Sequence, residues 1–117
     1  MNIVKLKLTE LKRTEHHSVD HVKKLKSILG TTNEEWPPIM VSTDMFILDG
    51  HHRFQLARDL GYEKILAFLV DYCDPDLEVR DYDTNEVMDK EMLLLRYLTG
   101  ILLPMKSTKH IIKKRNN

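Results

Sequence analysis

The stretch Ile47-Leu48-Asp49-Gly50-His51-His52-Arg53-Phe54, with Leu56-Ala57 and Leu60-Gly61 after it, decides how this chain of 117 residues folds. Met45-Phe46-Ile47-Leu48 reads as a short apolar strand that Asp49-Gly50 ends. Phe54, Ala57 and Leu60 then recur at helical spacing, which predicts a helix over 51–60 with Gly61 just past its last turn. The first N–H groups of such a helix lack intrahelical partners, and its dipole favours negative charge there. Gly50 permits a tight turn and a close approach of ligand to backbone. His51, His52 and Arg53 add donors at the same end, and the arginine fork suits phosphate oxygens. The motif is therefore fitted to an anion. The plainer alternative makes Asp49 a helix cap and the histidines surface residues, but helix propensity gives no reason for two histidines and an arginine in succession. Zinc fits less well, because adjacent histidines point in different directions and no Cys or His stands at ligand spacing.

Working outward, residues 39–41 form the other arm of a hairpin around Ser42-Thr43-Asp44. Residues 3–8 alternate and predict a strand with one wet face. Val19, Val22, Leu25, Ile28 and Leu29 predict a helix capped by Ser18 and stopped by Gly30. Residues 65–70 form a continuous apolar run, expected as a buried strand. Asp74-Pro75-Asp76 is a turn, and 78–82 is a short edge strand. Residues 85–98 predict a long helix with Val87, Met88, Met92, Leu95 and Leu98 inward. Gly100 and Pro104 bracket a break. The order strand, helix, hairpin, helix, strand, helix implies a mixed α/β (α+β) domain with a small sheet flanked by helices. One domain is expected over 1–112, with a basic, frayed tail over 113–117.

Hydrophobic residues make up 42% and charged residues 31% of the chain, enough for one modest core. Eighteen Lys and Arg balance eighteen Asp and Glu. Proteins that grip duplex DNA through many phosphates usually carry a basic excess, so nucleic acid is not the expected partner. A single cysteine, Cys73, excludes an intramolecular disulfide and fits a reducing, cytoplasmic setting. No signal-peptide pattern opens the chain, and its apolar runs are too short to cross a membrane, so no membrane partner is expected. His16, His17 and His21 lack the pattern of a zinc helix and read as solvated. Cys73 has no basic neighbour in sequence and reads as inert.

The string from Ile47 to Arg53, with Leu56-Ala57 and Leu60-Gly61, resembles the ParB/sulfiredoxin-like superfamily. More narrowly it resembles the free serine kinases, which pass a phosphoryl group from ADP or ATP to free L-serine. Three further places are similar. Leu11-Lys12-Arg13-Thr14-Glu15 stands where those kinases carry a His-Glu pair. Trp36-Pro37-Pro38-Ile39 matches a Trp-x-Pro-hydrophobic lead into the hairpin. Lys106-Ser107-Thr108-Lys109-His110 is similar to a C-terminal Lys-Thr-Thr-Arg-His element. Thr14 replaces the family's histidine and Lys109 its arginine. Sulfiredoxins need a cysteine where His51 stands. ParB partition proteins carry a Gly-Glu-Arg-Arg box and add a helix-turn-helix domain.

The resemblance implies a cytoplasmic phosphotransferase acting on a small alcohol, with ADP or ATP as donor and Mg²⁺ as cofactor. Glu15 would be the general base, although its own surroundings in sequence suggest a solvated carboxylate. Asp49 would orient the acceptor or hold the magnesium. Gly50, His51, His52 and Arg53 would bind phosphate or nucleotide together with Lys106, Ser107, Thr108, Lys109 and His110. Lys106-Ser107-Thr108 lacks the upstream glycines of a P-loop. Trp36 is either a core plug or a wall of the substrate pocket, and Tyr82 is a second substrate-binding candidate. The alternatives on the same fold are a nucleotide- or DNA-binding regulator without turnover and a metal-dependent nuclease.

Overall fold

The alternation at the N-terminus forms β1 (Ile3–Lys7), with Val4 and Leu6 half-buried and their neighbours exposed, in the computed structural model, which describes residues 3–113. β1 pairs antiparallel with β4 (Lys64–Val70), setting Val4 opposite Ala67 and Leu6 opposite Ile65. On its other side β4 runs parallel to β2 (Ile39–Ser42), which pairs antiparallel with β3 (Ile47–Asp49). The sheet order is β1-β4-β2-β3. Parallel strands need a crossover, supplied here by β3 and α2 (His51–Asp59). α2 packs on β2 and β4, and α1 (Val19–Leu29) packs on α2.

The two faces of β3 serve two cores, as the period of a strand requires. Ile47 joins Ile39, Val41, Phe54, Leu56 and Ala57 beneath the helices. Phe46 and Leu48 join Val70, Tyr72, Val79, Leu93 and Tyr97 on the opposite side. That second core is closed by an antiparallel pair, β5 (Leu77–Asp81) with β6 (Thr108–Ile112), and by α3 (Lys90–Leu98).

α1 starts and stops where its local signals place it. The Ser18 hydroxyl accepts the His21 N–H at 3.3 Å, and Gly30 ends the helix at φ 74°. Its inward face is narrower than expected, because only Val22 is buried while Val19 and Ile28 lie exposed. The helix predicted over 85–98 is shortened to α3. Residues 85–88 instead fold back along β5: Asn85 turns with φ 64°, Val87 bridges Arg80, and the Met88 N–H reaches the Val79 carbonyl at 2.9 Å. Asp89 caps α3 by accepting the Glu91 N–H at 2.9 Å. The inward residues are Leu93 and Tyr97, one turn apart, whereas Met92, Leu95 and Leu98 point to solvent. A further strand, β6, follows the break, where the sequence predicts no element. Lys113 is tied down, its N–H bound to the Asp76 carbonyl and its Nζ 2.9 Å from Glu78, and the remainder of the expected tail, 114–117, lies outside the described residues.

Candidate functional site

Gly50 takes the first position before α2 with φ 105°, a conformation that L side chains rarely adopt. A Cβ there would stand 2.3 Å from Ile39 Cγ2, so the glycine is also demanded by packing against β2. Asp49 is not the cap. No side chain caps α2, and its first turn carries no acid, whereas α1 and α3 are capped by Ser18 and Asp89. The unpartnered start of α2 opens onto a cavity of about 230 Å³. Around it stand Glu15, Leu25, Leu48, residues 49–53, Tyr82, Lys106 and Thr108.

Glu15 reaches this cavity from segment 12–16, which runs between β3 and residue 103. The Ile47 N–H donates to the Lys12 carbonyl, the Leu103 N–H to the Thr14 carbonyl, and the His16 N–H to the Leu103 carbonyl. Glu15 is thereby buried, not solvated. Its Oε1 accepts the Lys106 N–H at 2.9 Å. Its Oε2 accepts the Thr108 hydroxyl at 2.6 Å and the Thr108 N–H at 3.2 Å. Lys106 adopts φ 55° to make this turn, and its Nζ lies 5.9 Å from the centre of the Tyr82 ring.

The two histidines have a structural task that explains their succession. His51 Nε2 is met by the N–H groups of Thr14 and Glu15, both at 3.2 Å, while the Thr14 hydroxyl donates to the Ile47 carbonyl at 2.7 Å. His52 Nε2 accepts the Ser18 N–H at 3.1 Å. With Nε2 an acceptor in each ring, the neutral imidazole proton belongs on Nδ1. Together the rings staple segment 14–18, and with it Glu15, to the start of α2. Burial, helped by the charges of His52 and Arg13, lowers His51 to about 3. Burial, then His21 and His17, lowers His52 as well.

Arg53 is largely committed to structure. Its NH1 donates to the carbonyls of Pro37 and Pro38 at 2.8 and 3.0 Å, and its NH2 lies 3.4 Å from Asp49 Oδ2. Asp49 itself is about two-thirds exposed, with a side-chain accessibility of 65%. Four expected site residues lie outside the cavity. Trp36 is a core plug, 3% exposed and edge-on to Tyr62. His110 is buried against Tyr72 of the second core, and burial lowers it to about 4. Lys109 is exposed on the outer face of β6, and the Ser107 hydroxyl turns to the Pro104 carbonyl. Leu25 and Leu48 were not singled out as site residues. Their signal is position alone, Leu25 on the inward face of α1 and Leu48 next to Asp49.

The buried histidines make the fold acid-sensitive. Unfolded, His51 and His110 titrate near 6.5, but folded they hold no proton until about 3 and 4. Their contribution is complete above the unfolded value. Below it the unfolded chain binds protons first, and stability falls by about 1.4 kcal/mol per pH unit for each ring. The urea midpoint is expected to drop clearly between about pH 7 and pH 5, and replacing His110 by Phe should flatten that slope.

No family model matches the chain. The chain is 41% identical over 56 residues to a ParB-like protein of Sulfolobus acidocaldarius, a match covering 48% of this chain and 28% of that protein. It is 33% identical over 45 residues to an ATP-dependent L-serine kinase of Staphylothermus marinus, covering 38% of this chain and 18% of the kinase. These matches span less than a third of the length of those curated relatives. Among solved structures, a free serine kinase in complex with AMP superposes with a TM-score of 0.61 and 24% identity, over 68% of this chain and 35% of its own. A C-terminally truncated SbnI from Staphylococcus aureus superposes with a TM-score of 0.70 and 11% identity, over 97% and 84%. The resemblance read from the motif is thus borne out, and the chain has the α/β fold shared by these proteins.

Proposed function

We propose that the cavity transfers the terminal phosphoryl group of ATP or ADP to the hydroxyl of a small amino acid, free serine first among the candidates. The observation that carries this is convergence: Glu15, the uncapped start of α2, Lys106 and Thr108 meet around one cavity. The partial matches to L-serine kinases and the fold of a nucleotide-bound serine kinase support it.

A carboxylate offers about four acceptor positions. Three of Glu15's are taken, and the one left on Oε1 is free to receive the acceptor's hydroxyl proton. The hydroxyl oxygen forms the new bond to the terminal phosphorus, the bond to the bridging oxygen breaks, and the shortened nucleotide leaves. The phosphates lie against the first-turn N–H groups of α2 and the Lys106 ammonium, where phosphoryl transfer needs positioning and charge neutralisation. At about 230 Å³ the cavity falls below the roughly 300 Å³ of ordinary ligand pockets. It suits the acceptor and the transferring phosphate, leaving the nucleoside at the rim by Tyr82. Asp49, exposed and held by one long contact, orients the acceptor's amine. It also fits the pattern in which Mg²⁺ is held by one or two carboxylates together with substrate phosphates, whose charge the ion neutralises when bound.

The test is incubation with ATP or ADP and serine, threonine or homoserine, read by mass spectrometry of the amino acids. O-phosphoserine is expected with the wild type and should fall at least about a hundredfold with Asp49→Asn. If no acceptor gains phosphate from either donor, the proposal fails.

A further inference from the structure

Leu95 faces away from the molecule's core at the centre of α3. Leu93 and Tyr97 point inward, and Met92, Leu95 and Leu98 share the opposite side, 64%, 60% and 66% exposed. Ile101 continues the stripe just past the helix at 61%. Residues three apart lie on one ridge of a helix, so these side chains form a contiguous apolar patch. Such patches on a soluble surface mark interaction sites.

The pattern has a centre. Met92 lies three residues before Leu95, and Leu98 three after. The charges divide about the same point. Asp89 and Glu91 lie at the N-terminal end of α3, where the Lys90 ammonium turns away to the Asp74 carbonyl at 2.8 Å, and Glu86 precedes them in the turn along β5. Arg96 lies in its last turn, and Lys12 and Arg13 line a depression with Leu98 and Gly100. Among the described residues, no ion pair within the chain uses Lys12, Arg13, Glu86, Glu91 or Arg96.

We propose that this face is a self-association surface, on which two copies of the chain pair α3 against α3, antiparallel, about a two-fold axis at Leu95. A two-fold interface must be complementary to itself. Here Met92 of one copy meets Leu98 of the other, Leu95 meets its own equivalent, and the acidic end of each helix lies beside the basic end of its mate. An unrelated partner would need neither symmetry. No residue of α3 lines the cavity at the start of α2, so pairing leaves that cavity open.

Sedimentation and light scattering test this. The wild type is expected at twice the 13.8 kDa chain mass. Leu95→Glu places two carboxylates at the axis. It should raise the dimer dissociation constant at least about thirtyfold, as at a hot spot, with the circular dichroism spectrum unchanged. Register is tested by cross-linking in a Cys73→Ser background. Leu95→Cys should oxidise to a covalent dimer, whereas Met92→Cys should do so only when mixed with Leu98→Cys. A monomeric wild type, a Leu95→Glu variant that remains dimeric, or self-linking of Met92→Cys as fast as that of Leu95→Cys would each overturn the proposal.

Discussion

Replacing Glu15 by alanine is expected to damage both stability and turnover, and glutamine should separate the two. Alanine leaves the Lys106 N–H, the Thr108 N–H and the Thr108 hydroxyl without their acceptor in a largely buried setting. Bonds to a charged acceptor contribute about 1.5–3 kcal/mol each and do not simply add. A loss of about 3–5 kcal/mol in urea denaturation is therefore expected, concentrated in β6 and visible as faster hydrogen exchange there. Glutamine keeps the shape and one carbonyl oxygen. It can still accept both bonds from Thr108, with its amide turned toward Lys106, at a cost of about 1–3 kcal/mol. It cannot take the acceptor's proton, so transfer should fall by about a hundredfold to ten-thousandfold in a protein that remains folded.

Gly50→Ala carries the second large effect, and it acts through the backbone. The φ of 105° suits glycine, and the new methyl would meet Ile39, a residue with no exposed surface. Strain of about 1–3 kcal/mol and overpacking of a similar size point to a loss of about 2–5 kcal/mol. Relief requires β2 to move away from the start of α2, shifting Asp49 and the first-turn N–H groups together. Thermal melting and serine phosphorylation should therefore fail in step. A variant as stable as the wild type would show that the turn is not held as described.

How much of this was legible in the sequence depends on the range of each interaction. Ser18 and Gly30 marked α1 correctly because a cap and a stop act within a few residues. Asp49-Gly50 marked the strand-to-helix turn for the same reason. The burial of Glu15 was not legible, because its partners lie 91 and 93 residues away and no local pattern announces them. β6 was missed because its inward residues, Thr108 and His110, are polar, so the alternation that usually reveals a strand is absent. α3 was set in the wrong phase. Its apolar residues cover more than one face, and spacing alone does not tell a stripe that meets the core from one that meets another surface. The two histidines were read as ligand donors, whereas their Nε2 atoms accept backbone N–H groups, a role that depends on where segment 14–18 passes. The resemblance stands, and nine of the thirteen expected site residues line one cavity.

The most direct test of the phosphoryl-transfer site is the passage of labelled terminal phosphate from ATP or ADP to free serine, threonine or homoserine, with wild type and Glu15→Gln measured side by side. Labelled O-phosphoserine should form with the wild type and fall at least about a hundredfold with the folded glutamine variant. Equal rates for the two proteins, or no labelled amino acid from the wild type with either donor, would contradict the account.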